Sequence, residues 1–554
     1  MNRKPGISIR RVGLALALLA SLLMTAPALA ADAQAGQPQG GYSLVGLGPG
    51  DADLMTPRQV KAIQEADIVF CRPKTKEKLA PLVDFKGKKV VEGYNLIFPY
   101  YGKKCSEVPA DLKKRWGKTC EEYHQKQAEF ARMVREAVAQ GKKVVMTISG
   151  DPTIYSPGIW SVLALKDLKP KVVPGLSAFN AGNAALKASL GDVVITAPFS
   201  KKEGKDSLES LAGHERATVV VFMPRDFKKL MPRLQKAYAG DTPMAVVSNA
   251  GHAGQEKVLM GTVADMGAKL AKTDAGPSLV YVGKALSRAQ FKPDGQGQAT
   301  AGKGKFYLVG VGPGDSDLAT LRALEVIKKA DLIFAHKRIQ ELFPEQLKGK
   351  KVVDGYYRLF PFYGRDCSKI SESEKSRERM SCEEYHRKQA EFAAMVRQAV
   401  AQGQTVAMLD SGDPLVYGPC SWSIIELNDV PNEVVPGLSC FNAANAAIGL
   451  GVTEGKKSHS VLLASGWSVE EMAPHQATMI LFTMRTEFKK FTDSLLKYYP
   501  PETPVAIVFN AGYSQSEKVL HGTLGDITEK VGGKKLPFQH LLYVGDFLTN
   551  EKPY

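Results

Sequence analysis

The chain has 554 residues, 44% of them apolar, and carries 73 lysines and arginines against 57 aspartates and glutamates, a formal net charge of +16. That basic balance favours anionic partners such as polycarboxylates, with plain solubility as the simpler account. No run of lysines and arginines interleaved with aromatics is present to track a phosphate backbone, which argues against nucleic acid.

At the N-terminus, Arg3, Lys4, Arg10 and Arg11 precede an apolar run from Val12 to Met24, and an Ala28-x-Ala30 pattern follows. This reads as a secretory signal peptide over residues 1–30, because the run is too short to span a bilayer. Arg10-Arg11 leave a twin-arginine route open beside general secretion. The expectation is an exported, periplasmic protein with no transmembrane segment once the signal is removed. Residues 31–40, polar and rich in Gly and Gln, read as a flexible leader.

Next comes "YSLVGLGPGDADLMTP": a short apolar strand, a glycine corner, then helical spacing at Leu54, Val60 and Ile63. Glycines at such a corner permit unusual backbone angles and close approach of main chain to a ligand. The same arrangement returns as "FYLVGVGPGDSDLATL", with Leu318, Leu324 and Ile327 in the helical positions. Other stretches repeat in the same order. "CEEYHQKQAEFARMVREAVAQGKKVVMTISGDPTIYSPG" returns as "CEEYHRKQAEFAAMVRQAVAQGQTVAMLDSGDPLVYGPC". "VVPGLSAFNAGNAAL" returns as "VVPGLSCFNAANAAI", and "SNAGHAGQEKVLMGT" as "FNAGYSQSEKVLHGT". The chain is therefore a duplicated domain, with copies at 41–288 and 305–554 and a Gly-, Gln- and Lys-rich linker at 289–304. Within each copy, strand-like runs alternate with amphipathic helices, the pattern of mostly parallel sheets with crossover helices.

Each copy carries a cysteine pair at one spacing, Cys105-x14-Cys120-x3-His124 and Cys367-x14-Cys382-x3-His386. In an oxidising compartment the favoured reading is a disulfide closing a polar loop, each contributing about 3 kcal/mol on the loop-entropy model. The other reading is metal or haem ligation by Cys120 with His124 and Cys382 with His386, each pair one helical turn apart. Just before these pairs lie "GYNLIFPYYG" and "GYYRLFPFYG", aromatic stretches that either wall a flat macrocycle or pack an irregular loop.

G-x-G-P-G-D, S-G-D-P, V-P-G-x-S, N-A-G with its E-K-V and G-T, and the closing "LVYVG" and "LLYVG", in that order and twice over, resemble the tetrapyrrole methylases that use S-adenosylmethionine (SAM). That family includes the uroporphyrinogen III and precorrin methyltransferases; the long aromatic stretch looks more like the precorrin C20-methylase branch. The resemblance implies two tandem α/β units, each of two α/β subdomains with a ligand cleft between them. It also implies an internal pseudo-dimer or a homodimer, with SAM as cofactor and a small tetrapyrrole as substrate. Carried over by position, the SAM contacts of the first copy would be Pro49, Gly150, Asp151, Ile154, Ser177, Ala178, Met223 and Ala250. Those of the second would be Pro313, Gly412, Asp413, Val416, Ser439, Cys440, Thr483 and Ala511. Asp151 and Asp413 equally suit a turn aspartate bonding its own backbone. The first copy keeps the Met and Ala of the family's pocket, so the resemblance favours it if one site alone is active.

In the uroporphyrinogen branch an aspartate after the second strand accepts a proton and a lysine donates one. Here those positions hold Arg72 and His336, and Tyr94 and Tyr356. Arginine cannot act as a base near neutrality, whereas histidine can, and tyrosine can donate. His336, Tyr94 and Tyr356 are therefore the catalytic candidates, and the departure argues against the uroporphyrinogen reaction. The expected function is a SAM-dependent C-methyltransferase acting on a precorrin-like tetrapyrrole. The alternative is an exported tetrapyrrole- or corrinoid-binding protein on the same scaffold without catalysis.

Overall fold

The computed structural model describes residues 40–109, 116–198, 205–214, 216–273, 276–291, 304–466, 468–482, 488–533 and 536–549. The expected signal peptide (1–30), all of the leader but residue 40, and most of the linker (292–303) lie outside the described residues. None of the described helices is long and apolar enough to cross a membrane.

The alternation of apolar runs and helices builds the same five-stranded sheet at the head of each repeat. In the first, β1 (Gly41–Gly46), β2 (Ile68–Phe70), β3 (Lys89–Val91), β4 (Lys143–Ile148) and β5 (Lys171–Val173) pair in the order β3-β2-β4-β1-β5, all parallel. The centre of the sheet is covered on both faces, so β4 is buried from Val144 to Ile148, while the edge strands β3 and β5 are partly exposed. The connections out of β1 and β4 leave in opposite directions. The crevice at their carboxyl ends is thus a topological switch point, the place where open α/β sheets take ligands.

The tail of the first repeat supplies β6 (Asp192–Thr196), β7 (Ala217–Phe222), β8 (Pro243–Ser248), β9 (Lys257–Thr262) and β10 (Ser278–Val282). The second repeat repeats the whole: β11 (Lys305–Gly310), β12 (Leu332–Phe334), β13 (Lys351–Val353), β14 (Thr405–Asp410) and β15 (Asn432–Val435) form its parallel head sheet. Its tail is β16 (Val461–Ser465), β17 (Thr478–Phe482), β18 (Pro504–Phe509), β19 (Lys518–Thr523) and β20 (His540–Val544). The two tails are one structure. β6 and β16 pair antiparallel, Val194 opposite Leu462, to give a ten-stranded sheet in the order β19-β18-β20-β17-β16-β6-β7-β10-β8-β9. One apolar cluster joins Val219, Val246 and Val280 to Met479, Ile507 and Leu542, and another joins Phe179 and Tyr281 to Phe441 and Tyr543. Each therefore draws on both repeats. Burial of a shared sheet at this scale is the main force holding the repeats together.

Candidate functional site

The glycine corners close on themselves by backbone contact. Gly48 and Gly150 exchange hydrogen bonds at 3.3 and 3.0 Å, and Gly312 and Gly412 do the same at 3.3 and 2.9 Å. This fixes the G-x-G-P-G turn after β1 to the S-G-D-P turn after β4. A side chain at Gly46 would put its Cβ 2.6 Å from Pro152 and 2.7 Å from the Gly150 carbonyl. Asp51 N–H donates to the Gly251 carbonyl at 3.0 Å, so the N-A-G turn after β8 completes the wall. Gly150 itself has a φ of +75°, and a Cβ built there meets nothing within 4 Å: its open side faces space.

The V-P-G-x-S serines are helix caps. Ser177 and Ser439 open the helices Ala178–Leu186 and Cys440–Ile448 with capping boxes closed by Asn180 and Asn442. In the first box Asn180 Oδ1 accepts from Ser177 N–H at 3.1 Å and from its hydroxyl at 2.8 Å, which leaves Nδ2 to donate elsewhere. It donates across the repeats to Asp413 Oδ2 at 2.9 Å, and Asn442 Nδ2 donates to Asp151 Oδ2 at 2.7 Å. The other oxygen of each aspartate serves its own turn: Asp151 Oδ1 accepts from Thr153 N–H at 2.8 Å and Asp413 Oδ1 from Leu415 N–H at 2.8 Å. The turn role is thus met and a seam role is added to it, and Oδ2 of each aspartate, which accepts one of these bonds, keeps a second lone pair. Burial pushes their carboxyls up, to about 6 for Asp151 and about 7 for Asp413.

A second set of reciprocal contacts uses the corner aspartates. Arg58 reaches Asp315 at 3.0 Å and Asp317 at 2.6 Å, while Arg322 reaches Asp53 at 2.8 Å and Asp51 at 3.7 Å. Tyr155 donates to the His459 carbonyl at 2.5 Å, and Tyr417 to Asp192 at 2.5 Å. None of these cross-repeat residues other than the aspartates stood out in the sequence. The signal available was their recurrence at the repeat offset.

The remaining carried-over positions fall as follows. Pro49 and Pro313 are buried in the corners; Ile154 and Val416 are buried in the apolar cluster that faces the shared sheet. Ala178, Cys440, Met223 and Ala511 are half-buried, and Ala250 is buried. Met223 follows β7 and Asn249 follows β8, each with a φ of +51°. Thr483 lies outside the described residues.

Tyr94 and Tyr356, the candidate donors, are packed by their rings. Their rings pack edge-on against Phe70 and Phe334, under Lys126 and Lys388, and each hydroxyl lies with a helix glutamate, Glu129 or Glu391. His336 stands at the carboxyl end of β12, its Nδ1 accepting from Arg338 N–H at 3.2 Å and its ring 4.2 Å from that of Tyr357. Burial holds its pKa below the usual value, so it is neutral near pH 7. Arg72 occupies the matching place in the first repeat as a helix cap.

Cys105–Cys120 and Cys367–Cys382 are disulfides, with Cα separations of 5.6 and 5.7 Å. Joined sulfurs leave no thiolate for a metal, and His124 and His386 bond the Tyr100 and Phe362 carbonyls at 2.9 and 3.0 Å. The metal-ligand reading of Cys120, His124, Cys382 and His386 is corrected accordingly. The aromatic stretches pack around these loops, Tyr100 against Tyr123 and Phe362 against Tyr385, while Leu96 and Phe360 stay exposed.

Comparison with known proteins decides the family. The model of the tetrapyrrole (corrin/porphyrin) methylases matches twice, at residues 43–267 and 305–528. The chain belongs to that family. A cobalt-precorrin-4 C(11)-methyltransferase of Methanocaldococcus jannaschii is 30% identical over 262 residues, which cover 45% of this chain and 90% of that protein. A uroporphyrinogen-III C-methyltransferase of the same organism is 28% identical over 259 residues, 44% of this chain and 97% of the relative. Among solved structures, a Thermus thermophilus uroporphyrin-III C-methyltransferase complexed with S-adenosyl homocysteine is 24% identical. It matches 44% of this chain and 99% of its own length, with a TM-score of 0.33. Like these tetrapyrrole methylases, the chain is a SAM-dependent methyltransferase, and each repeat spans one unit of the family.

The residues present fit that cofactor. Gly150 stands beside open space that a long side chain would enter, and Pro49, Ser177, Ala178 and Ala250, on the turns and helix start near it in the sequence motifs, bring no charged side chain. In the second repeat Gly412, Pro313, Ser439, Cys440 and Ala511 repeat the arrangement.

Proposed function

We propose that this chain methylates a ring carbon of a reduced, polycarboxylate tetrapyrrole of the precorrin class, and that it does so as an exported protein. The observation that carries the substrate reading is the duplicated crevice: two glycine-walled switch points, each bridged by a Gly–Gly hydrogen-bond pair, in a family whose relatives here act on precorrin-4 and uroporphyrinogen III. The basic net charge suits a substrate carrying several carboxylates. The N-terminal pattern supports export, and two disulfides suit an oxidising compartment.

When bound, SAM supplies a methyl cation equivalent, its sulfur–carbon bond breaking with the electron pair left on sulfur. The chain's own work is positional. The bridged corners and the capped helices hold the crevice in one shape, and the shared sheet fixes the two tails to each other, so that a bound substrate is positioned against the methyl group.

The test is calorimetry with S-adenosylhomocysteine on the chain cleaved after Ala30, with methyl transfer from labelled SAM to uroporphyrinogen III and precorrins. Two binding events per chain are expected. Gly150→Arg should remove one and Gly412→Arg the other, since each places a long side chain into its cradle. A wild-type chain that binds no S-adenosylhomocysteine overturns the reading; binding without transfer to any reduced tetrapyrrole supports the non-catalytic alternative. N-terminal sequencing of the secreted product tests export.

A further inference from the structure

The repeats part company at one buried place. At the carboxyl end of β14 the Asp410 side chain has no exposure. Its Oδ2 accepts from the Cys420 N–H at 3.0 Å, and its Oδ1 has no hydrogen-bond partner among the described residues. The Cys420 thiol, fully buried, and the Tyr357 hydroxyl face this carboxyl. Tyr357 and His336, ring against ring, line a gap too narrow for a water molecule together with Phe334, Val353 and Met408.

The matching places in the first repeat hold Ile148, Gly158, Asn95 and Arg72. There Ile148 fills the space, so that a Cβ at Gly158 would stand 3.4 Å from it, and Asn95 Nδ2 donates to the Thr147 carbonyl at 2.8 Å. Ile148 in one repeat is thus a carboxyl in the other, although the buried Asn95 beside Ile148 also has an Oδ1 without a hydrogen-bond partner among the described residues. Burying such a group costs free energy that isoleucine does not, and groups of this kind concentrate where protons are moved. The position is also on the ligand side: a strand's carboxyl end, two residues before Gly412 of the second crevice.

We propose that Tyr357 and Asp410 form a proton relay confined to the second repeat, which removes the proton shed by a reduced tetrapyrrole on ring methylation. The inference rests on the methyltransferase reading of the crevice. Methylation of a ring carbon spends two π electrons of the macrocycle on the new carbon–carbon bond and leaves a cation that must lose one proton. That proton passes to Tyr357 Oη while the phenolic proton passes to the Asp410 carboxyl, once bound substrate has drawn the two into hydrogen-bond reach; no oxidant or reductant enters. Tyr357 is the catalytic residue, and Asp410 acts through it. Burial raises the Asp410 carboxyl to about 7, so it accepts a proton near neutrality, and raises the Tyr357 phenol far enough that it passes a proton rather than holding the charge. The other titratable and charged groups here are Cys420, Arg358 beside Tyr357, and Asp354, Glu341 and Arg338 around His336.

Infrared difference spectra of the full chain, wild type minus Asp410→Asn, read the carboxyl directly across pH. A carbonyl band titrating at about 7 is expected, its midpoint moved by uroporphyrin III. In Tyr357→Phe the band should remain and the movement should vanish. In a Gly150→Arg background, which closes the first site, both variants should lose about 100-fold or more in kcat for methyl transfer, with S-adenosylhomocysteine affinity at the second site unchanged. Asp410→Ile with Cys420→Gly, which imports the first repeat's packing, should fold and lose the band. A midpoint in the ordinary carboxylate range, or one that uroporphyrin III leaves in place while S-adenosylhomocysteine still binds, overturns the relay. Failure to bind S-adenosylhomocysteine overturns the methyltransferase reading and the relay with it.

Discussion

At the seam two sets of contacts answer each other across the repeats. Arg58 grips Asp315 and Asp317 while Arg322 grips Asp53, and Asn180 and Asn442 trade bonds with Asp413 and Asp151. Behind the crevice they do not: Ile148 faces Asp410, and Gly158 faces Cys420, as equivalents of opposite polarity. The difference has a physical basis. A contact across the shared sheet constrains both partners at once, so a change on one side leaves a buried group on the other without its hydrogen bond. The pocket behind each crevice is packed within its own repeat, and a carboxyl there costs stability without disturbing the other half.

The strongest way to test the symmetric half of this comparison is at the corners. Gly46→Ala would force a Cβ to 2.6 Å from Pro152, and Gly310→Ala to 2.6 Å from the Gly437 nitrogen. Backbone, joined at Gly46 by the stiff Pro152 ring, prevents relief, and each change should cost about 3 kcal/mol or more. The urea midpoints of the two variants should fall together; a loss confined to one repeat would break the symmetry. Replacing both cysteines by serine in either disulfide, each closing a 15-residue separation, should cost about 3 kcal/mol on the loop-entropy model. Asn180→Leu and Asn442→Leu come next, at about 1–3 kcal/mol each, because each strands a buried aspartate oxygen. Matched thermal shifts in the two variants are expected. A neutral Asn180→Leu would mean that the seam does not depend on these bonds.

Much of the fold is legible in one sequence because local rules agree with global ones. The glycine corners, the alternation of strand and helix and the serine caps are all set within about ten residues, and the duplication doubles each signal. The seam is not legible in that way. Its bonds join residues 233 and 291 positions apart, and Asn180 looks like an ordinary capping residue until its second donor is followed. Asp151 carried two compatible readings, and only the geometry shows one oxygen serving the turn and the other bonded across the seam. Tyr94 and Tyr356 fell at a position associated with proton donation, yet aromatic neighbours supplied by β2, β12 and the long helices Cys120–Ala139 and Cys382–Ala401 hold them in the core. Asp410 was visible only as a mismatch, "TISGDP" against "LDSGDP", which becomes informative once its burial is known.

The asymmetric half of the comparison is sharpened by pH. The folded Asp410 carboxyl titrates at about 7, whereas an unfolded aspartate titrates at about 3.9. Between those values the folded chain holds a proton that the unfolded chain has released. Stability from this group is therefore fully present below the unfolded value, falls as pH rises through the window and is gone above about 7. The slope is about 1.4 kcal/mol per pH unit. Asp413 and Asp151 are also raised, but they are common to wild type and Asp410→Asn and cancel in the difference between them. Urea denaturation of the two proteins at intervals from about pH 4 to 8 should give a difference that moves against the wild type as pH rises, then levels off. Asp410→Ile with Cys420→Gly should gain most over the wild type above pH 7, where the buried carboxylate is charged. A difference that is flat across this range would mean that Asp410 carries its charge at no cost, and the second repeat would then be as inert behind its crevice as the first.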